Sequence, residues 1–441
     1  MKKVLILCDD YYPSSRATIA ITQRFAEGLV EKGYKVSVLT MRERINTKPD
    51  YPLTYKGVSI FDYSDFEDRI KESEIDKISK IDKRNARLLK IIQREKKIKF
   101  NSVSSKGDSF KMQWNSFVEK KRLKHRDVYY KSAVYKRYIF YRKCIVESFL
   151  ENQIFDTIVS VSGPFSTNTI TCEVKKDNHL FSWISICFDP YAYEELRTDD
   201  FLKPRIKEEN KVFSVCDKIM LLTQFKEDYK GSKVIDRIKY FELPNIRPLS
   251  YNSNYSSITF DREKINCVFL GNFFDVYRHP EFLFRVVERL SDFICVHIVG
   301  GLINISREYV DEWVKRLNGK LDYHGRVGQE EAINTMLTAD VLVNVGHKSS
   351  NQCPSKVIEY VCTGKPIWNI SKIPNCTSLP YLEKYPRQFT MFEYDEVTDK
   401  KIKELETFLK SEKEKPEISF ETIEKLYPEC TMAKMIEAFE E

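Results

Sequence analysis

Residues 340–366 read DVLVNVGHKSSNQCPSKVIEYVCTGKP, and this stretch decides the fold class. The run DVLVNVG is almost wholly apolar and predicts a buried strand. Pro354 and Ser355 predict a helix start, because Pro fits the first helical turn and Ser caps free backbone N–H groups. Gly364 and the following Pro366 predict the end of that helix. A strand that leads through a short loop into a helix indicates a parallel α/β sheet.

Lys356 and Glu359 lie three residues apart and share one face of the predicted helix. The pair fits either a surface ion pair on an amphipathic helix or an anion site. In the anion site, the helix N-terminus and Lys356 would receive phosphate, while Glu359 would accept hydrogen bonds from hydroxyl groups. Ligands of open α/β sheets bind beyond the carboxyl ends of the strands, which is where this helix begins. The context therefore favours the anion site.

The same alternation of strands and helices precedes this stretch. Strands are predicted in NCVFLGN (266–272) and ICVHIVGG (294–301), and an extended piece in KLDYHGRV (320–327). Helices are predicted in HPEFLFRVVERL (279–290), REYVDEWVKRL (307–317) and EEAINTMLTA (330–339). The stretch PNIRPLSYNSNYSS (244–257), rich in Pro, Asn and Ser, marks a linker. The pattern predicts a doubly wound domain over residues 246–420.

A second α/β pattern occupies the N-terminal half. KKVLILCDD (2–10) predicts a strand, residues 17–32 a helix, and KVSVLT (35–40) another strand, which together form a βαβ unit. Further strands are predicted at Thr157–Val161, Trp183–Cys187 and Lys218–Leu222. We therefore predict a first doubly wound domain over residues 1–245, interrupted by a helical insertion at about 66–148.

The positive charge is concentrated in one segment. The chain carries a net charge of +7, whereas residues 84–143 contain 19 lysines and arginines against four acidic residues. That segment is +15, so the rest of the chain is −8. A charge run is usually a solvated face, but self-repulsion on an otherwise acidic chain favours a polyanionic partner. The aromatic residues within it, Tyr129, Tyr130, Tyr135, Tyr138, Phe140 and Tyr141, favour an anionic membrane surface.

Length and composition exclude several classes of protein. At 441 residues the chain is too long for one hydrophobic core and predicts two or three domains. Its eleven cysteines form no C-x-x-C pair and have no histidine at zinc spacing, so neither a disulfide framework nor a metal site is predicted. The start MKKVLILCDD has too few apolar residues for a signal peptide, and no run approaches the ~20 of a membrane span. We expect a protein of the reducing cytoplasm.

Short motifs follow one another in order along the chain. They are Asp10-Tyr11-Tyr12-Pro13, Pro244-Asn245, Phe269-Leu270-Gly271-Asn272, His324-Gly325-Arg326-Val327, Pro354-Ser355-Lys356-x-x-Glu359-Tyr360 and Gly364-Lys365-Pro366. With this set the chain resembles glycosyltransferases of the GT-B fold, close to family 4, many of which build bacterial capsule, O-antigen or teichuronic-type polymers. The resemblance covers nearly the whole chain. It implies two Rossmann-like domains facing across a cleft, and a C-terminal helix at 421–441 that crosses back to the first domain.

The resemblance implies that the second domain holds a nucleotide sugar. Glu359 would accept hydrogen bonds from the two ribose hydroxyls, each charge-assisted contact being worth about 1.5–3 kcal/mol. Lys356 and Arg278 would neutralise the departing nucleotide diphosphate, so that neither a metal nor a cofactor is expected. The helix start at Pro354 and Ser355 would face the phosphates.

Further residues would line the same donor site. Gly271, followed by Asn272, would let the backbone approach the diphosphate, and Arg326 and Val327 would lie near the base. Family 4 members commonly carry a Glu eight positions before the ribose-binding Glu, and this chain has Asn351 there. An asparagine still hydrogen-bonds a sugar hydroxyl but carries no charge, which leaves the sugar preference and the activity itself open.

The resemblance implies that the first domain receives the acceptor. Asp10 and Arg16, in the loop DDYYPSSRA, are candidate contacts to sugar or phosphate, with structural capping as the alternative. SGPFS, which contains Gly163, and CFDPY end two middle strands on the same side. Asp189 in the latter is a candidate for orienting the acceptor hydroxyl, the alternative being a turn-forming Asp-Pro.

The leading interpretation is a retaining, hexosyltransferase-type glycosyltransferase that uses a nucleotide sugar in surface polysaccharide synthesis. Its acceptor would be a polyprenyl-diphosphate-linked or other glycan, and residues 84–143 would hold it on the inner face of the cell membrane. The alternatives are a sugar-nucleotide epimerase, which would not need a basic insertion, and a non-catalytic nucleotide-sugar-binding subunit, which Asn351 suggests. A nucleic-acid binder is a further alternative, less economical with two phosphate-binding domains.

Overall fold

The structure is a computed structural model that describes residues 1–11, 17–41, 54–62, 133–151, 153–177, 180–189, 191–193, 199–352 and 355–441. Arg16, Pro354 and residues 63–132, which include most of the predicted insertion, lie outside these ranges. The chain forms two compact units. The first consists of Met1–Leu221 and Gly231–Lys239, and the second of Leu222–Lys230 and Tyr240–Glu441. The predicted domain limits at residues 245 and 420 stay predictions.

An eight-stranded sheet is built mainly from the first unit. Its strands are β1 (Lys3–Cys8), β2 (Lys35–Thr40), β3 (Thr54–Tyr55), β4 (Val58–Asp62), β5 (Thr157–Ser162), β6 (Ser182–Cys187), β7 (Lys218–Leu222) and β8 (Ile238–Phe241), in the order β3-β4-β2-β1-β5-β6-β7-β8. The pairings from β4 through β7 are parallel, and β3 pairs antiparallel with β4. Its helices are α1 (Ala17–Glu31), α2 (Ala133–Leu150), α3 (Ser166–Asp177) and α4 (Asp199–Phe213).

The apolar runs of the sequence form these strands because both faces of the sheet are covered. β1 and β2 each have one exposed residue followed by five buried ones, as a central parallel strand requires. Along α1, the side chains of Ile21, Phe25 and Leu29 recur every four residues and are all buried. The predicted βαβ unit is confirmed.

The second unit contains a six-stranded parallel sheet in the order β13-β11-β9-β14-β15-β16 and a small β10-β12 pair. The strands are β9 (Ile265–Leu270), β10 (Phe273–Phe274), β11 (Ile294–Val299), β12 (Leu302–Ile303), β13 (Leu321–Gly325), β14 (Val341–Val345), β15 (Ile367–Ser371) and β16 (Gln388–Phe392). The helices are α5 (Glu281–Arg289), α6 (Arg307–Leu317), α7 (Gln329–Thr338), α8 (Ser355–Cys362), α9 (Leu379–Glu383), α10 (Asp399–Lys413), α11 (Phe420–Leu426) and α12 (Met432–Glu440). The strands and helices predicted between residues 266 and 366 are confirmed.

The C-terminal segment is not one continuous helix. α11 ends at Leu426, a single 3-10 turn covers Pro428–Cys430, and α12 starts after Thr431. Pro428 has no N–H to donate to the preceding turn, and the Thr431 side chain caps the next helix by accepting from the Lys434 N–H. The single helix predicted over 421–441 is therefore wrong in this detail, and its crossing to the first domain stays a prediction. Within the described ranges, every helix is too short or too polar to span a bilayer.

Candidate functional site

The carboxyl edge of the second sheet carries three glycine turns in a row. Gly271, Gly300 and Gly325 end or follow the adjacent strands β9, β11 and β13, with φ angles of +153°, +153° and +74°. Side chains rarely adopt these backbone conformations, so glycine is needed at each turn. The three turns lie at the edge where open α/β sheets bind ligands, and they present backbone without side chains there. The Gly271 and Gly300 N–H groups themselves donate to the Val299 and Gly325 carbonyls, at 2.9 and 2.7 Å.

Two of these turns touch backbone to backbone. A Cβ atom placed on Gly300 would lie 1.8 Å from the Gly271 carbonyl oxygen, and one on Gly301 would lie 2.3 Å from Arg326 Nε. The Gly301 N–H donates to Asn272 Oδ1 over 2.9 Å. The structure thus brings together three predicted donor-site residues, Gly271, Asn272 and Arg326, around a Gly-Gly pair.

Helix α8 is fixed to this edge by one buried side chain. The Leu270 N–H donates to Tyr360 Oη over 2.8 Å, and the Tyr360 hydroxyl donates to the Leu270 carbonyl over 3.2 Å. Burial raises the pKa of Tyr360, so the hydroxyl keeps its proton. At the start of the helix, Asn245 Nδ2 donates to the Ser355 carbonyl over 3.2 Å. Helix α8 begins at Ser355, the position predicted from the sequence, and lies next to the β9 turn.

Lys356 and Glu359 meet on the first turns of α8. Lys356 Nζ lies 2.5 Å from Glu359 Oε2, and Arg247 Nη2 lies 3.4 Å from Glu359 Oε1. Glu359 is the least accessible of the three side chains, at 14% exposure against 35% for Lys356 and 23% for Arg247. A mostly buried carboxylate between two more accessible cations differs from an ordinary surface pair. The arrangement offers positive charge outward and an acceptor within reach of a hydroxyl.

More positive charge lies beside the β9 turn. Arg278 Nη1 is 3.5 Å from the position of a Cβ on Gly271. Burial lowers the pKa of His347 to about 4, and the nearby Arg278 and Lys372 cations contribute to the shift. Burial also lowers the pKa of Lys372, which donates to the His279 carbonyl over 3.1 Å and pairs with Glu393. Neutral His347 next to fixed cations suits a site that receives an anion.

Asn351 is held by its own surroundings. Its Oδ1 accepts from Ser349 Oγ over 2.8 Å, its Nδ2 lies 3.4 Å from Asp228 Oδ2, and its carbonyl accepts from Gln224 Nε2 over 2.8 Å. The residue is 2% exposed. These contacts fix the loop before α8, and a direct contact of Asn351 to sugar stays a prediction. Val327, also predicted near the base, is half-buried after β13.

The predicted acceptor residues lie at the ends of neighbouring strands in the first unit. Asp10 follows β1, Gly163 follows β5 and Asp189 follows β6, and these three strands are adjacent in the sheet. Asp10 Oδ1 accepts from the Tyr11 N–H over 2.9 Å, and both roles considered for Asp10 stay predictions. Asp189 is exposed and therefore accessible to an acceptor. Beside them, the rings of Phe165 and Tyr191 stack with centroids 4.0 Å apart.

Several residues of the candidate donor site escaped the sequence analysis. Gly300 and Gly301 were visible as a strand ending in Gly-Gly, a signal as direct as that of Gly271. Arg247 follows the Pro244-Asn245 motif, but nothing in the sequence links it to a helix more than a hundred residues away. His347 and Lys372 follow β14 and β15, and their place at the carboxyl edge follows once those strands are assigned.

Comparison with known proteins identifies the fold. No protein-family model matches the chain, and no curated protein matches it either. Among solved structures, the sucrose-phosphate synthase of Thermosynechococcus elongatus aligns with a TM-score of 0.60 at 9% identity, over 100% of this chain and 98% of its own. WaaG, a glycosyltransferase involved in lipopolysaccharide biosynthesis, aligns with a TM-score of 0.55 at 12% identity, over 98% of each chain. Anabaena HepE, in complex with UDP and glucose, aligns with a TM-score of 0.54 at 10% identity, over 100% and 98%.

At these identities the likeness concerns the fold. The alignments extend over nearly the full length of each protein, so both α/β units are included. The predicted fold class, two doubly wound Rossmann-like domains of the GT-B type, is confirmed.

Proposed function

We propose that the protein is a glycosyltransferase that takes a sugar from a nucleotide sugar bound at the carboxyl edge of its second sheet. The observation that carries the proposal is the group of Lys356, Glu359 and Arg247 at the start of α8. Tyr360 on the same helix accepts from the Leu270 N–H, which ties α8 to the strand end before Gly271, and Arg278 lies beside that glycine. The cations suit the two phosphates of a nucleoside diphosphate, the carboxylate suits its ribose hydroxyls, and the glycine turn leaves room for it.

The chemistry divides between the two kinds of group. Lys356, Arg278 and the backbone N–H groups of the α8 N-terminus would bind the two phosphates and stabilise the negative charge that develops when the sugar leaves. Glu359 would accept hydrogen bonds from the ribose hydroxyls, and Arg247 would hold its carboxylate in position. The turns at Gly271 and Gly300 carry no side chains and would leave room for the diphosphate close to the backbone.

The fold supports this assignment because similar structures include a glycosyltransferase and a complex with a nucleotide and a sugar. WaaG is described as a glycosyltransferase, and HepE was solved with UDP and glucose. We propose transfer of a hexosyl group with retention of configuration, in which the donor phosphate accepts the proton of the incoming hydroxyl on the same face. Charge neutralisation by protein cations would make a metal unnecessary in this reaction.

The donor site is tested by single substitutions and nucleotide-sugar affinity. Glu359→Ala and Lys356→Ala should each weaken binding at least tenfold, about 1.4 kcal/mol, without changing the melting temperature of the free protein by more than a few degrees. Isothermal titration with a panel of nucleotide sugars gives the affinity. The matched control is the exposed pair of Lys434 and Glu437 on α12, which has the same spacing and the same 2.5 Å contact.

Alanine substitution of Lys434 or Glu437 should leave the affinity unchanged. Equal affinities for wild type and for both α8 variants would refute the donor site.

A second candidate function is a non-catalytic nucleotide-sugar-binding subunit, favoured by the contacts that hold Asn351 against Ser349 and Asp228. Binding without transfer to any glycan acceptor or to water would establish that candidate.

We further propose that the acceptor is a lipid-linked glycan, reached from an anionic membrane surface through residues 84–143. The support is the charge of +15 in that segment, most of which lies outside the described residues. Each Lys or Arg near an anionic surface contributes about 1 kcal/mol, so a few suffice for peripheral binding. The acceptor glycan would meet the first unit near Asp10, Gly163 and Asp189.

Vesicle sedimentation tests the membrane proposal. The protein should sediment with vesicles that contain phosphatidylglycerol, and the bound fraction should fall as the salt concentration is raised. It should not sediment with neutral vesicles. Replacing Lys120, Lys121, Arg122 and Lys124 with Glu should release it while leaving nucleotide-sugar affinity intact. Tight binding to RNA by a protein that ignores the anionic vesicles would instead support a nucleic-acid partner.

A further inference from the structure

A thiol, a carboxylate and two imidazoles converge between two neighbouring strands of the second sheet. β11 and β13 pair in parallel, with His297 opposite Asp322. Side chains two residues apart on a strand share a face, which places Cys295 beside His297 and His324 beside Asp322. Cys295 and His297 are buried, whereas Asp322 is partly exposed and His324 is exposed. Two protected and two accessible donors thus meet on one face of the sheet.

Their donor atoms lie at short mutual distances. Asp322 Oδ2 is 3.6 Å from Cys295 Sγ and 3.6 Å from His297 Nδ1. His324 Nε2 is 3.1 Å from the same His297 Nδ1. Among the described residues, the atoms of Cys295, His297 and Asp322 form a group in which all three lie within 4.8 Å of one another.

The proton on His297 is placed by its other neighbour. Asn266 Nδ2 donates to the carbonyls of Asp261 and Lys264 and to Asp340 Oδ2, at 2.9, 3.2 and 3.2 Å. With its nitrogen facing three acceptors, Asn266 directs its oxygen at His297 Nε2, 3.1 Å away. Nε2 must therefore carry the hydrogen, and Nδ1 presents a lone pair to the group. An imidazole whose second nitrogen donates to a fixed oxygen is the arrangement found behind metal-binding histidines.

From this geometry we propose that Cys295, His297 and Asp322 bind one zinc ion, and that His324, which contacts the group through His297, turns toward the ion as its fourth ligand. Ligand atoms about 2.0–2.3 Å from a tetrahedral zinc lie about 3.3–3.6 Å from one another, which agrees with the distances of 3.1 and 3.6 Å between the side chains. A thiolate and a carboxylate balance the charge of Zn²⁺. The mixture of sulfur and imidazole donors selects zinc over Mg²⁺ or Ca²⁺, which prefer oxygen ligands alone.

The proposed site has a structural role and stands apart from the donor site. Cys295 is the second residue of β11, whereas the glycine turn at Gly300 follows the carboxyl end of that strand. β13 is an edge strand with a pairing irregularity next to Ile298 and Val299. A metal shared between the strands would hold this edge in register and with it the turn at Gly325. The accessible Asp322 and His324 provide a path of entry for the ion.

The site is tested on the full-length protein, purified without a histidine tag and stripped with a chelator. Titration with Co²⁺, which occupies tetrahedral zinc sites and reports thiolate ligation by its charge-transfer absorption, should reach one equivalent and show that absorption. Zn²⁺ should displace the cobalt and raise the melting temperature. Cys295→Ser should abolish the sulfur-to-cobalt absorption, and Asp322→Asn should weaken zinc binding at least tenfold.

The matched control is Asp292→Asn, which removes a fully exposed carboxylate just before β11. This variant protein should bind both metals as the wild type does. Asp322 is half-exposed, so its conversion to Asn tests the site even if Cys295→Ser folds poorly. Absence of a thiolate-to-cobalt absorption in the wild type would refute the proposal. So would equal zinc affinities for Asp322→Asn and Asp292→Asn.

Discussion

Replacing Gly300 with Ala should lower the free energy of unfolding of the protein by about 3 kcal/mol or more. Two effects destabilise this variant, and both arise from the added Cβ atom. The φ angle of +153° is rarely adopted by a residue with a side chain, and the added methyl group would lie 1.8 Å from the Gly271 carbonyl oxygen. The obstacle is backbone, which cannot rotate away as a side-chain end does. Urea unfolding at constant slope measures the loss.

The same substitution should also impair nucleotide-sugar binding, because it displaces the turn at Gly271. The control is Gly231→Ala, since no heavy atom lies within 4 Å of a Cβ at that position. We expect this variant to unfold within about 0.5 kcal/mol of the wild type. A Gly300→Ala protein with wild-type stability and affinity would contradict the close contact of the two turns.

Replacing Arg387 with Met should cost about 3 kcal/mol of stability. Arg387 Nε donates to Glu412 Oε2 over 2.7 Å, and the two side chains are 8% and 9% exposed. The guanidinium also donates to the carbonyls of Gly364 and Pro416, at 3.0 and 2.8 Å. Methionine fills similar space but leaves these buried acceptors without their donor. Lys415 still pairs with Glu412, which places the loss at the lower end of the range for broken buried pairs.

An exposed pair provides the matched comparison for Arg387. Arg307 Nε lies at the same 2.7 Å from Asp311 Oδ1, but these side chains are 56% and 50% exposed. Arg307→Met should therefore change stability by less than about 1 kcal/mol. The two variants share the substitution and the 2.7 Å contact to a carboxylate. The difference between them therefore measures burial together with the backbone hydrogen bonds that only Arg387 makes. Similar losses for both would show that burial of the Arg387 pair is not what matters.

The sequence pattern was sufficient to predict most strands and helices, because the spacing of apolar residues within a short segment decides which of its faces is buried. KVSVLT and REYVDEWVKRL occupy the strand and the helix predicted for them. The first is a short, β-branched run that is buried after its first residue, and the second is amphipathic. The break at Pro428 was also readable, but the run of apolar residues on α12 suggested one longer helix. The strands β3 and β4, of two and five residues, are short and were not distinguished from a loop.

The geometry of the candidate site was harder to predict from the sequence, because it depends on which strands are neighbours in the sheet. Lys356 and Glu359 could be paired from their spacing alone, whereas the contact of Arg247 with Glu359 joins residues 112 positions apart. The same applies to His297 and Asp322, which meet only because β13 lies beside β11. A parallel sheet brings together residues from distant crossovers, and no local motif announces those pairs.

The division of the chain into interleaved segments limits how the protein can be dissected. The second unit takes in Leu222–Lys230, although residues 231–239 belong to the first. Gln224 and Asp228 from that short segment hold Asn351 in the loop before α8. A gene fragment beginning at residue 240 would encode the whole six-stranded sheet but omit these two supports. Independent expression of the second unit therefore requires the missing segment to be supplied, for example by joining it to the new N-terminus.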